Sequence, residues 1–147
     1  MGVGGVAALG AIMLLLNLTI GLLDFNPAGL TDPPRDKTMP KMNNENAAQL
    51  VTHLSHPNGW WRDTAQQLLV LKQDKSVVPT LKKMVTDTKG DVIPRMHALW
   101  TLEGLNSLDA ALTRDMMKDA NPRMKIQAIR ASETLYKAGD KSFAADY

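Results

Sequence analysis

Two textures divide the chain: residues 2–23 are apolar without interruption by charge, whereas from Asn43 onward apolar residues recur at spacings of three and four between polar ones. The first run, "GVGGVAALGAIMLLLNLTIGLL", is long enough at ~1.5 Å per residue to cross a hydrocarbon layer of ~30 Å. It predicts a transmembrane anchor over residues 1–25. A secretory signal is the alternative reading, although the basic n-region is missing and only a poor cleavage pattern, such as Thr19 and Gly21, follows. Residues 26–42 hold four prolines and few large apolar side chains, the composition of an extended linker.

Residues 43–147 read as helices. Ala47, Leu50, Val51 and Leu54 form one amphipathic stripe, with Asn43 or Asn44 as the N-cap. Asn58 caps the next helix, whose predicted buried face runs through Trp61, Ala65, Leu68 and Lys72. Ser76 is expected to cap "VVPTLKKMV", with Pro79 in the first turn, where a missing N–H costs little. A helix over about 91–105 ends at Gly104, Ser107 caps its successor, and a last helix runs from Pro122 to Gly139.

These segments repeat. Arg62, Ala65 and Leu69 match Arg95, Ala98 and Leu102 at an offset of 33 residues, and Lys125 and Ala128 follow at 30. "DKS" at 74–76 returns at 140–142, two such intervals later. Offsets of this size belong to stacked helix pairs. The fold class expected is therefore all-α: a short HEAT-like α-solenoid of paired antiparallel helices behind an N-terminal transmembrane helix. The array is expected to stop in mid-repeat, leaving a helix face without its packing partner.

Composition narrows the chemistry. Seventeen Lys and Arg against fifteen Asp and Glu leave a formal charge of +2 without a basic block, so no nucleic-acid partner is expected. There is no cysteine, which removes disulfides, thiolate zinc sites and c-type haem attachment. His53 and His56 have a spacing that two ligands of one metal can use, but His56 precedes Pro57 and no third ligand is near in sequence. His97 borders the apolar arc of Val92, Ile93, Met96, Leu99 and Trp100, where it is expected to hold a backbone carbonyl. No Ser, Cys or carboxylate stands at a spacing that specifies catalysis, so neither an enzyme nor a cofactor is expected.

The stretches "LVTHLSHPNGWWRDTAQQLLVLKQDKSVVPTLKKM" and "RMHALWTLEGLNSLDAAL…MKDANPRMKIQAIRASE" resemble the HEAT-repeat segment of large bacterial putative membrane-bound dehydrogenases. The resemblance covers about residues 44–147 and includes the consecutive Trp pair. In that family a β-propeller similar to quinoprotein sugar dehydrogenases precedes the repeats, and a cytochrome c domain often follows them. This chain has an apolar segment in place of the propeller's end and lacks the Cys-x-x-Cys-His haem motif. The resemblance thus implies a repeat module working beside redox partners outside the cytoplasm, and it carries no catalytic residue to this chain.

The expected function is a non-catalytic, single-pass scaffold subunit that packs against other protein subunits of a membrane complex and contacts lipid through residues 2–23. Arg35, Lys37 and Lys41 weakly favour a cytoplasmic body, whereas the resemblance favours a periplasmic one. Candidate partner-binding residues are Trp60, Arg62, Arg95, His97, Phe143 and Tyr147; Arg62 and Arg95, at the same repeat position, are also expected to form an ion pair or hydrogen bond between repeats, with Asp63, Asp91 or another acid of the neighbouring repeat. A fragment of a longer dehydrogenase-like protein and a nucleic-acid-binding HEAT protein are the competing readings.

Overall fold

The computed structural model describes residues 39–145, which belong to one compact unit beginning at Met39. Among them are six α-helices and two 3₁₀ turns, with no strand. The helices are α1 (Ala47–His53), α2 (Gly59–Lys72), α3 (Val78–Thr86), α4 (Val92–Gly104), α5 (Ala110–Met117) and α6 (Pro122–Lys137). The 3₁₀ turns, Lys75–Val77 and Lys141–Ala145, follow α2 and α6. The apolar run 2–23 and its expected membrane crossing lie outside the described residues. Among the described helices none is long and apolar enough to cross a membrane.

Local chemistry explains the helix starts. Asn58, Asp91 and Asn121 each sit in extended backbone and accept a hydrogen bond from the second residue of α2, α4 and α6. At α1 the cap is Asn46, not Asn43 or Asn44, because Gln49 completes a reciprocal capping box with it. Asp109 replaces the expected Ser107 at α5, accepting from Leu112 N at 2.8 Å. Asp74 replaces Ser76: its carboxylate accepts from Ser76 N and turns the chain into the short 3₁₀ segment before α3. Asp140 does the same for Ser142, so both "DKS" copies build one local structure. After α4 the left-handed residue is Asn106, with φ 50°, while Gly104 remains helical.

Packing sorts the helices into two sets. The pairs α1–α2, α3–α4 and α5–α6 are the closest neighbours in sequence and space, each joined by a short connection. The second members form a row in which α2 meets α4 and α4 meets α6. Met42 is buried, so packing also begins inside the segment composed like a linker.

Position in the row decides burial. Nine of the thirteen residues of α4 are buried, on every side of the helix, because it has neighbours on both flanks and beneath. The buried residues of α2 are Arg62, Ala65, Gln66 and Leu69, which face α4 and the core. This face is turned by roughly 70° from the predicted Trp61–Ala65–Leu68–Lys72 stripe. Apolar periodicity misplaces it because the seam toward α4 is built partly from polar side chains. In α6 the buried set is Met124, Gln127, Ala128, Ala131 and Ser132, on the side that packs against α5 and α4.

Candidate functional site

Polar side chains tie the row together. Arg62 donates through Nη1 to the carbonyls of His56 and Pro57, at 2.8 and 2.9 Å, and through Nε to His97 Nε2 at 3.3 Å. His97 Nε2 therefore accepts, and its Nδ1–H donates to Gln66 Oε1 at 2.7 Å. Burial, and then the Arg62 charge, lower the His97 pKa to about 4, so the ring is neutral near pH 7. The expected carbonyl partner for His97 is thus corrected to two side chains of the neighbouring helix.

The second seam repeats the logic with other groups. Arg95 donates through Nε to Val85 O at 2.9 Å and through Nη2 to the Asp119 carboxylate, both side chains being almost fully buried. The Arg95 bond is the chief cause that holds the Asp119 carboxyl below the usual range. Asp119 also accepts from Asn121 N at 2.8 Å, which sets the entry into α6. Trp100 Nε1 donates to Gln127 Oε1 at 2.9 Å, and Thr134 donates to Glu103 at 3.0 Å. Burial raises the Glu103 pKa, and the Thr134 bond opposes that rise. Among the described residues no buried side-chain polar atom lacks a hydrogen-bond partner.

This geometry redistributes the six candidate residues. Arg62, Arg95 and His97 are spent on the seams, and Phe143 is fully buried with the Arg114 guanidinium 4.7 Å from its ring centroid. None of the four presents a surface to a partner in this conformation, so the expectation drawn for them is corrected to an internal role. Trp60 stays 49% exposed, and Tyr147 lies outside the described residues. Sequence reasoning did not single out Gln66, Asp119 or Gln127, which complete the seams. Asp119 precedes the α6 cap as His56 precedes the α2 cap, a correspondence that aligning the caps would have exposed.

Trp61 is half-buried, stacked on His56 with centroids 4.7 Å apart at 16° and with His53 at 5.4 Å. Trp61→Ala should therefore cost about 2–3 kcal/mol, below the ~3–5 of a fully buried aromatic, and Trp60→Ala less than about 1. Urea midpoints of the two variants check the order. His53 Nε2 lies 2.9 Å from Glu45 Oε2, while His56 Nδ1 accepts from Asn58 N. Among the described residues no group of three His, Asp or Glu side chains is placed to hold a metal ion.

One open groove of about 640 Å³ lies between the end of α1, the end of α3 and the start of α4, lined by Ser55, Lys83, Asp87 and Asp91 among others. Its carboxylates are engaged locally: Asp87 accepts from Lys89 N and Asp91 from Ile93 N. A side chain at Gly90 would come within 2.9 Å of Asp87 Oδ2, so this turn admits little growth. The surface offers a stronger feature. Of the six exposed large apolar residues among those described, Trp60 and Leu71 lie on α2 and Ile126, Ile129 and Tyr136 on α6.

No family model, no curated protein and no solved structure matches the chain.

Proposed function

We propose that this chain is a non-catalytic, membrane-anchored scaffold subunit of HEAT-like α-solenoid type, whose helical body packs against other proteins of a membrane-associated assembly, with electron-transfer or dehydrogenase complexes the favoured class. The observation that carries the reading is the concentration of exposed apolar side chains on the two outer helices of the row. Scattered exposed apolar residues need no explanation, but five of the six among the described residues, gathered on two helices, mark surfaces suited to protein contact. The polar groups inside are meanwhile engaged with one another. Residues 2–23 supply the anchor in this reading, and the resemblance favours a periplasmic body.

Purification of the tagged full-length chain from native membranes in a mild detergent, followed by mass spectrometry, tests the proposal. Other subunits should accompany it in fixed stoichiometry. A 16.1 kDa chain recovered alone, or only with copies of itself, would overturn it.

A further inference from the structure

Counting from the N-caps Asn58, Asp91 and Asn121 places the three row helices in one register. Each helix then meets the next in the row, α2 through Arg62 and Gln66, four and eight residues after its cap, and α4 through Trp100 and Glu103, nine and twelve after. Eight residues after its cap, α2 presents Gln66 to His97 of α4; at the same place α4 buries Leu99, and α6 exposes Ile129. Twelve residues after the cap, α4 presents Glu103 to Thr134 of α6. Just past the end of α2, Gln73, in left-handed backbone, donates to the Gly104 carbonyl of α4; on α6 the exposed Tyr136 follows Ile129 two turns later, with Lys141 Nζ 3.6 Å from its ring centroid.

The receiving flank is the one that repeats. It lies six and thirteen residues after the cap: His97 and Gly104 in α4, Gln127 and Thr134 in α6. The same positions in α2 are Thr64, which is part-exposed, and Leu71, which is 78% exposed; Trp60 borders that flank. Ile129 thus stands on α6 where Gln66 stands on α2, and Thr64 and Leu71 stand on α2 where His97 and Gly104 stand on α4, the two sides of the α2–α4 seam.

We infer that a second copy of this chain docks head to tail, its α2 flank around Thr64 and Leu71 seated on the α6 flank around Ile129 of the first, in the register of the α2–α4 seam. Continuity with that seam selects this occupant: the chain carries both halves of the contact, and both halves are exposed. Because the two surfaces differ, the contact is heterologous, and it propagates along a stack unless one end is blocked. This inference rests on the reading of the outer helices as docking surfaces and names what docks there.

The chain has no cysteine, so engineered thiols report the contact without background. The Gln66–His97 contact places Ile129 of one copy against Thr64 of the next. Purified full-length Thr64→Cys and Ile129→Cys chains, mixed in mild detergent and mildly oxidised, should give a disulfide-linked dimer of twice the single-chain mass. Neither chain alone should cross-link. Adding Leu71→Glu to the Thr64→Cys chain should cut the yield at least ten-fold while far-UV circular dichroism stays unchanged.

Cross-links within either single-variant sample would overturn the inference in favour of a symmetric contact. Absence of any mixed dimer, with both chains folded, would overturn it in favour of another protein or residues 1–38 covering these flanks. If subunits of other sequence co-purify from membranes yet no mixed dimer forms, the scaffold proposal stands and self-docking falls; the converse result reverses that outcome.

Discussion

Asp119→Asn should lower the stability of the helical body by about 3–5 kcal/mol, the usual cost of leaving one partner of a buried ion pair alone. At ~4–8 °C per kcal/mol for a domain of this size, the thermal midpoint should fall by more than about 10 °C. Asn keeps an acceptor for the Asn121 N–H, so the α6 entry survives and the loss reports on the Arg95 guanidinium left without its counter-charge. Adding Arg95→Met should recover much of the loss, because the lone buried charge is then gone. Differential scanning calorimetry of the two single variants and the double variant checks this; strictly additive losses would contradict a coupled pair. The bond to Arg95 also holds the Asp119 carboxyl low, so its contribution is present above the usual carboxylate range and is lost as pH falls through and below it.

His97 should dominate a separate, milder acid response. Its pKa is about 4 in the folded chain against 6.5 for an ordinary histidine, so between those values the unfolded chain binds the extra proton. Stability should therefore be complete above pH 6.5 and decline by about 3 kcal/mol as pH falls toward 4. Protonation would place a hydrogen on Nε2, where the Arg62 N–H already points, and would add a charge beside the guanidinium. Glu103 acts in the opposite direction, since a carboxyl with a raised pKa favours the folded state on acidification. The diagnostic measurement is thus a difference: urea unfolding of wild type and His97→Gln from pH 7.5 to 4.5, in which the gap between them should narrow or invert on acidification. Parallel curves would remove His97 as the cause.

The two outcomes turn on Arg95 and His97, whose polarity in the sequence fits either a partner contact or a bond within the fold, and the choice between these is physical. Arg62, Arg95 and His97 are polar, and polarity in a sequence argues for exposure unless a partner is known. Their partners stand 21 or more residues away along the chain, apart from the nearby carbonyls, so no local pattern could reveal that they are satisfied. The Trp pair was easier to separate: Asn58 starts α2, and successive helical residues diverge by ~100°, which sends Trp61 toward His56 and leaves Trp60 outside.

Local chemistry determined the all-helical class, the placement of most helices, the prolines in their first turns, and the spacing that recurs between α2 and α4. It also marked both "DKS" segments as equivalent, because an aspartate two residues before a free N–H turns the chain wherever it occurs. Only the tertiary structure decided which face of α2 is buried, which cap among several Asn, Asp and Ser residues is used, and which helix becomes the doubly flanked centre. Those choices depend on neighbours remote in sequence. A helix flank is apolar or polar in the chain, but whether it is a seam or a surface depends on whether another helix lies against it.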